Sequence, residues 1–476
     1  MKNRYDLIII GAGSAGIVAA VHARGLRKKV LLIEKSKETR GSKFLNDIPF
    51  GSLSYHSSLI LNSNKLENIG ISAAKSSDGT KLFEHINEQV KNLSSHLELK
   101  NLEKMGVAVV SGEASFIDSH TVKCASKEYR AKKIIIASGS RPIVPEIDGL
   151  DSKNVLTTES LFNLKKLPGS VVIVGGGPAG IQAASAFSIM GVKTVVLEKG
   201  ETILAREDDE IRAMVLDTLK KRGVTFVFKA IIENAQIEKR RCTLNFSDGK
   251  KSRRVTAERV LVCCGRKPAL DNLGLESAGV EYDENGILVN RSLRTSVSNI
   301  YACGDVTGGY MYTNKAEAQA SVAVVNALSL IRKKMDYSSL IWGLQTTPMV
   351  AHMGMTGSEA QARYGKFGIR IYKFPFKYSM HAALRSESGG LAKIICRPSG
   401  RILGAHVFGD NADSIVHELQ IAKTNGIKFG KISLSMHIFP SYGDVLTKPS
   451  LRSYIDQYSR NILINIVRAL IPHRRR

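Results

Sequence analysis

The chain has 476 residues, 43% of them hydrophobic and 23% charged, the usage of ordinary globular proteins. This excludes a disordered, collagen-like or low-complexity polymer, and the length corresponds to about three domains at ~150 residues each. Lys and Arg number 68 against 43 acidic residues, a formal charge of +25. Such an excess invites a polyanionic partner. The cations are spread along the whole chain and no nucleic-acid-binding motif is present, so no nucleic acid is expected.

Met1–Arg4 is basic and Leu7–Ala23 mostly apolar, which superficially resembles a secretory leader. Asp6 and three glycines at fixed spacing point elsewhere. Tyr5-Asp-Leu-Ile-Ile-Ile-Gly-Ala-Gly-Ser-Ala-Gly16 predicts a buried strand, a tight turn and a small-residue helix, and Val30–Glu34 a second strand ending in an acid; together they form a βαβ unit. Gly11 permits the turn, Gly13 lets backbone approach a pyrophosphate, and Gly16 lets helix and strand pack closely. Ser14 and Ala15 open the helix, whose N–H groups and dipole favour phosphate. Glu34 lies 18 residues past Gly16, near the ~20 expected of an acid that binds ribose.

Leu82, Ile86, Val90, Leu93 and Leu97 are expected to share a helical face. Ile134–Pro142 predicts a buried strand running into a turn at Gly139. The βαβ pattern then returns at Val171, with Gly175, Gly177 and Gly180, and with Glu198 again 18 residues on. A carboxylate there favours NAD over NADP by repelling a 2′-phosphate, although Lys199 beside it could pair with one. Ile211, Val215 and Leu219 predict a helix. Val260–Pro268, with its turn at Gly265, repeats the shape of Ile134–Pro142. Ile300–Asp305 reads as a short strand ending in Gly304-Asp305, where a carboxylate can accept from a ribityl hydroxyl.

From about Asp336 the pattern becomes strands at Gly368–Phe374, Gly390–Cys396 and Ile402–Phe408, with a helix at Ala412–Asn425. Ser450 onward reads as a helix until Pro472. No run of 18 apolar residues exists, so no transmembrane helix is expected. The tail Arg452–Arg476 carries six arginines against Asp456. Ile462, Leu463, Ile466, Val467, Leu470 and Ile471 can share its apolar face. Two seats suit such a helix: a partner subunit or an anionic membrane surface.

The six cysteines are Cys124, Cys242, Cys263, Cys264, Cys303 and Cys396. None forms a C-x-x-C, so neither a disulfide framework nor a metal site is expected, and a reducing cytoplasm fits. Cys303 reads as a small buried residue. Cys263 and Cys264 read as strand neighbours facing opposite ways.

The order Gly-Ala-Gly-Ser-Ala-Gly16, Ala-Ser-Gly-Ser-Arg-Pro142, Gly-Gly-Gly-Pro-Ala-Gly180, Gly-Arg-Lys-Pro268 and Tyr-Ala-Cys-Gly-Asp305 resembles the pyridine nucleotide-disulfide oxidoreductase family. That family includes dihydrolipoamide dehydrogenase, glutathione reductase and mercuric reductase. Arg401-Ile-Leu-Gly-Ala-His-Val-Phe-Gly409 resembles its interface domain. The resemblance implies an α/β fold of two Rossmann-like dinucleotide-binding domains, for FAD and then NAD(P), followed by a C-terminal α+β dimerisation domain. The expected boundaries are 1–150 for FAD, 151–270 for NAD(P), 271–335 for a segment completing the FAD site, 336–449 for the interface, and 450–476 for the basic tail. A homodimer and hydride transfer from nicotinamide to flavin follow by the same resemblance.

The departures carry the functional argument. Members have C-L-N-x-G-C-x-P-S-K after the first βαβ unit. Here Gly41–Leu53 aligns through Leu45-Asn46 and Ile48-Pro49 around a two-residue deletion. Phe44 takes the place of the first cysteine, the second is deleted, and Gly51 stands where the Lys would be. Without either thiol, thiolate chemistry is impossible there. The disulfide reductases' H-P-T-x-x-E acid–base pair is here Phe439-Pro-Ser-Tyr-Gly-Asp444, with Phe439 for His and Asp444 for Glu. His437 could face the same side, though a plain packing or surface role fits it as well. Gln182 replaces a Glu that relatives often carry beside the second fingerprint.

The leading expectation is an FAD-dependent NAD(P)H oxidoreductase. It would pass electrons from flavin directly to a small acceptor such as a quinone, a dye or oxygen. Two readings stay open: a flavin-binding scaffold without turnover, and a thiol or metal reductase of the dihydrolipoamide dehydrogenase or mercuric reductase type.

Overall fold

The computed structural model describes residues 3–36, 43–67, 69–71, 79–95, 99–150, 155–238, 241–249, 251–387 and 389–459. These form two compact units. The first comprises Met1–Thr202 with Val224–Asp336, and the second Ile203–Gly223 with Tyr337 onward.

In the first unit, the apolar run Arg4–Ile10 sits at the centre of a seven-stranded sheet. It pairs in parallel with Val30–Glu34 on one side and Lys127–Ile136 on the other. Ile300–Ala302 adds to Lys127–Ile136, also in parallel. Strands buried on both faces read as unbroken apolar runs rather than alternating ones, as Leu7–Ile10 and Ile134–Ile136 do. Helix Ser14–Gly25 buries Ala15, Gly16, Ile17, Ala19, Ala20 and Ala23. It shares a core cluster with Ala316, Ala320, Ala323, Val324 and Ala327 of helix Thr313–Leu328. Small side chains on both helices let them lie close together over the sheet.

The second parallel sheet runs Thr225–Val227, Lys193–Leu197, Ser170–Val174, Arg259–Val262, Leu156–Thr157. Helix Pro178–Ile189 follows its Gly turn, with Pro at the first helical turn, where a missing N–H costs nothing. An antiparallel three-stranded sheet spans Ile231–Ala257. The two Arg-Pro segments, which sequence places at matching points of the repeats, zip together as an antiparallel pair. Arg266 faces Pro142, and Pro268 faces Ser140.

The expected face of Leu82 to Leu97 is corrected in part. The helix is Leu82–Ser94, it buries Phe83 and Ile86, and it leaves Leu93 exposed. Leu97 lies outside the described residues. Phe83 fills the inner face that Leu93 does not reach. The strand at Val260 ends at Val262, so Cys263 and Cys264 lie just past it rather than on it.

The second unit is a five-stranded antiparallel sheet in the order Ile341–Leu344, Val350–Gly354, Ile402–Phe408, Leu391–Cys396, Arg370–Pro375. Helix Ala412–Thr424 packs Ile415, Val416 and Leu419 into its core. Helix Asp209–Lys221 buries Ile211, Val215 and Leu219. Its N-cap Asp208 accepts from Glu210 N–H and pairs with Lys393 Nζ at 2.7 Å. Burial raises the Asp208 carboxyl, but the Lys393 ammonium and the Gly357 N–H outweigh it and hold the group below its ordinary value. The last described helix starts at Asp444 and runs to Ser459, earlier than Ser450. Arg460, Arg468, Arg474–Arg476 and the apolar face Ile462–Ile471 lie outside the described residues.

Candidate active site

The first Gly-rich turn opens onto a cavity of about 450 Å³. Gly11, Gly13, Ser14, Ala15, Glu34, Gly139, Gly304 and Asp305, all singled out in the sequence, line it. Gly11 sits at φ +104°, and a Cβ on Gly16 would be driven into the Gly11 carbonyl. Glu34 ties the end of its strand to this turn, Oε2 accepting from Ala12 N–H at 2.6 Å and Oε1 from Ser36 N–H at 2.9 Å.

Sequence reasoning placed Asp305 here but missed the polar chain behind it, Ser140, Arg266 and Glu159, which also line the cavity. Buried Asp305 accepts from Ser140 Oγ at 2.6 Å. Ser140 Oγ in turn accepts from Arg266 Nε at 2.8 Å, and Arg266 Nη2 pairs with Glu159 at 2.8 Å. Pairing of the two Arg-Pro segments brings Arg266 here. A side chain at that point of the second repeat had no sequence signal linking it to the first. Ser14 Oγ and Arg266 Nη1, both in residues lining the cavity, are buried without a hydrogen-bond partner.

The second turn repeats the first. Gly175 adopts φ +109°, and a Cβ on Gly180 would meet the Gly175 carbonyl. Gly177 caps the helix. Glu198 Oε2 accepts from Gly176 N–H at 2.5 Å and Oε1 from Gly200 N–H at 2.6 Å. Gly265 makes the next turn at φ +101° and its carbonyl accepts from Ile143 N–H. Gln182 is half-buried on the helix.

No cysteine pair faces the cavity. Phe44 is buried in the turn Lys43–Asp47, and its neighbour Leu45 lines the cavity. Gly51 lies on helix Ile48–Glu67 with open space at its Cβ. All six cysteines are free thiols. Cys303 alone lines the cavity; it is 0% exposed, and burial pushes its thiol up to about 12.

In the second unit, Phe439 is 74% exposed. Asp444 is committed to the start of helix Met380–Leu384, accepting from Ser379 Oγ at 2.8 Å and Met380 N–H at 2.9 Å. His437 Nε2 pairs with Glu418 at 3.0 Å and its Nδ1 faces the Ser435 carbonyl. Burial lowers its basicity, but the Glu418 carboxylate overcomes this and leaves His437 easier to protonate than a free histidine.

Fold and site together place the chain among α/β proteins with two Rossmann-like Gly-rich turns. The model of the pyridine nucleotide-disulphide oxidoreductase family matches residues 5–320, and that of its dimerisation domain residues 342–449. The chain belongs to this family. It is 32% identical to dihydrolipoyl dehydrogenase of Staphylococcus aureus over 448 residues, covering 92% of this chain and 94% of that protein. It is 29% identical to mercuric reductase of Lysinibacillus sphaericus, covering 90% of this chain and 78% of that protein. The structure of the HOCl-induced flavoprotein disulfide reductase RclA from Escherichia coli, as a Cu(II) complex, aligns with TM-score 0.84 and 26% identity over 94% of this chain and 99% of that one. Members of the family are flavin-dependent enzymes that use pyridine nucleotides. No described helix is long and apolar enough to cross a membrane.

Proposed function

We propose that this chain is an FAD-dependent NAD(P)H oxidoreductase that reduces a small acceptor without a cysteine relay. The observation that carries the reading is a cavity lined by the first Gly-rich turn, Glu34 and Asp305 beside a segment without thiols: Phe44 is buried where the first cysteine would be, and Cys303 is sealed. The residues present fit a flavin dinucleotide. The N–H groups of the Gly11–Gly16 turn and the unpartnered Ser14 Oγ suit the pyrophosphate. Glu34 suits the adenosine ribose, and Asp305, held by Ser140, suits the ribityl chain. A bound flavin supplies the hydride acceptor. On the other turn, Gly175–Gly180 and Glu198 would hold the nicotinamide nucleotide, with NAD favoured by the Glu198 charge. The matched dimerisation domain supports a homodimer.

The relatives favour a second reading, since they are named dihydrolipoyl dehydrogenase, mercuric reductase and flavoprotein disulfide reductase. It requires thiols near the flavin, and among the described residues the cavity's one thiol is Cys303. Anaerobic titration with NADH and NADPH separates the two. Bleaching by a single hydride per flavin, with no thiolate–flavin charge-transfer band, is expected. A second hydride taken up, or that band, establishes the thiol reading; no bleaching by either nucleotide leaves a non-catalytic flavin scaffold. For the basic tail, deletion of Arg452–Arg476 separates its two seats: loss of sedimentation with anionic vesicles places it on a membrane, and unchanged sedimentation leaves the partner subunit.

A further inference from the structure

The second unit contains a buried polar cluster that neither fingerprint nor family resemblance assigns. Glu207 lies just before the helix Asp209–Lys221. His352 and His406 face each other across neighbouring strands of the sheet, in register. The three are 5%, 2% and 0% exposed. One ligating atom from each lies within 4.8 Å of the others. None of them lines the flavin cavity.

The hydrogen bonds around the cluster all point outward. His352 Nε2 meets the Gly354 carbonyl at 2.9 Å, and His406 Nε2 meets the Met355 carbonyl at 2.9 Å. A carbonyl can only accept, so each ring presents N–H on that side and turns Nδ1 inward. Metal-ligating histidines are oriented by this same device, the outer nitrogen donating to a backbone carbonyl. Glu207 is steadied likewise, its Oε1 accepting from Trp342 Nε1 at 2.5 Å, while the indole stacks on His352 with centroids 3.5 Å apart.

What is left inside does not close as it stands. Glu207 Oε2 lies 3.0 Å from His352 Nδ1, a contact that needs a proton shared between the two. His406 Nδ1 then has no partner at all, although it is fully buried. A buried acceptor left unpaired is costly. A divalent cation at the centre satisfies all three groups: it takes the lone pairs of both Nδ1 atoms and one Glu207 oxygen.

We propose that Glu207, His352 and His406 bind one borderline divalent ion, of which Zn²⁺ is the type. Two imidazoles and one carboxylate are a set that zinc accepts. Hard Mg²⁺ and Ca²⁺ want oxygen ligands throughout, and no thiolate is present to select a soft monovalent ion. Binding displaces to solvent the one proton shared by Glu207 Oε2 and His352 Nδ1, and both atoms then bond the ion. The ion pins two strands of the sheet to the segment leading into helix Asp209–Lys221. Sequence gave no warning, because the three ligands lie far apart along the chain and no metal-binding spacing joins them.

Trp342 is the chain's one tryptophan, so its emission reads this site directly. The test uses full-length flavin-loaded protein, stripped with chelator and titrated with Zn²⁺, Co²⁺, Mg²⁺ or Ca²⁺. A tryptophan change saturating at one Zn²⁺ per chain, tetrahedral absorption bands with Co²⁺, and silence with Mg²⁺ and Ca²⁺ are expected. His406→Gln and Glu207→Gln should weaken Zn²⁺ by at least about 100-fold, a scale that outer partners alone can reach, while the flavin stays bound. A flat tryptophan titration of the wild-type protein overturns the proposal, whether or not the variants fold. So does a zinc stoichiometry that the variants leave unchanged.

Discussion

The two βαβ repeats close the same backbone around the same glycines, and each uses its acid in the same way. Glu34 ties down Ala12 and Ser36, and Glu198 ties down Gly176 and Gly200. They differ in what the rest of the chain brings to the turn. The first receives Asp305 from a strand added to its sheet far along the sequence, with Ser140 and Arg266 behind it. Beside the second lie Cys264, exposed, and the half-buried Gln182. The two turns therefore share one backbone and differ in the side chains set around it: Asp305, Ser140 and Arg266 at the first, Gln182 and Cys264 at the second.

Breaking one turn at a time makes the largest effects. Gly11→Val places a branched side chain at φ +104° against the Ala137 carbonyl, costing about 1–3 kcal/mol in backbone strain before the clash is counted. The purified variant should carry almost no flavin by absorbance. Gly180→Val, packed against the Gly175 carbonyl, should keep its flavin and lose bleaching by NADH. If both variants lose flavin equally, the division of labour between the turns is wrong.

Asp305→Asn probes the contribution from outside the first repeat. It removes a charge-assisted acceptor from Ser140 while conserving shape. Such a hydrogen bond contributes about 1.5–3 kcal/mol, so flavin retention measured by dialysis should weaken about 10- to 100-fold. Glu198→Gln is the milder counterpart on the second repeat. The KM for NADH should rise about 10-fold with kcat little changed, on the same hydrogen-bond scale. The NADPH value should move less, because the charge that repels a 2′-phosphate is gone. Equal changes for both nucleotides would remove Glu198 from the discrimination.

Most of the first unit was legible in sequence because its determinants are local. The runs Leu7–Ile10 and Val171–Val174 are apolar throughout because both faces are covered, and Gly16 and Gly180 mark close approaches that only a missing Cβ allows. What stayed hidden depends on pairing between distant segments. Arg266 reaches Ser140 only because two short strands zip together, and the buried Asp208–Lys393 pair joins residues 185 positions apart. Leu93 misled because the expected face turns out of the core before reaching it: Ile86 on that face is buried together with Phe83, whereas Leu93 is exposed.

The smallest expected effect concerns the thiols. Cys264 is exposed but not reactive by nature: burial of its sulfur, and then the Glu198 charge beside it, push its thiol above the ordinary range. Since only the thiolate attacks, iodoacetamide at neutral pH should label Cys264 slowly and Cys303 not at all, as read by peptide mass spectrometry. A family member that relies on cysteines would lose turnover with its thiols. In this chain, labelled protein should take up the same single hydride per flavin as unlabelled protein and reduce a quinone or dye at nearly the same rate. The carboxamidomethyl group sits beside the second turn, so a modest rise in the KM for NADH is compatible with that expectation and a fall in flavin content is not. Loss of acceptor reduction on labelling Cys303, with flavin retained, would return electron transfer to a thiol and reverse the contrast between a nucleotide site that is kept and a relay that is gone.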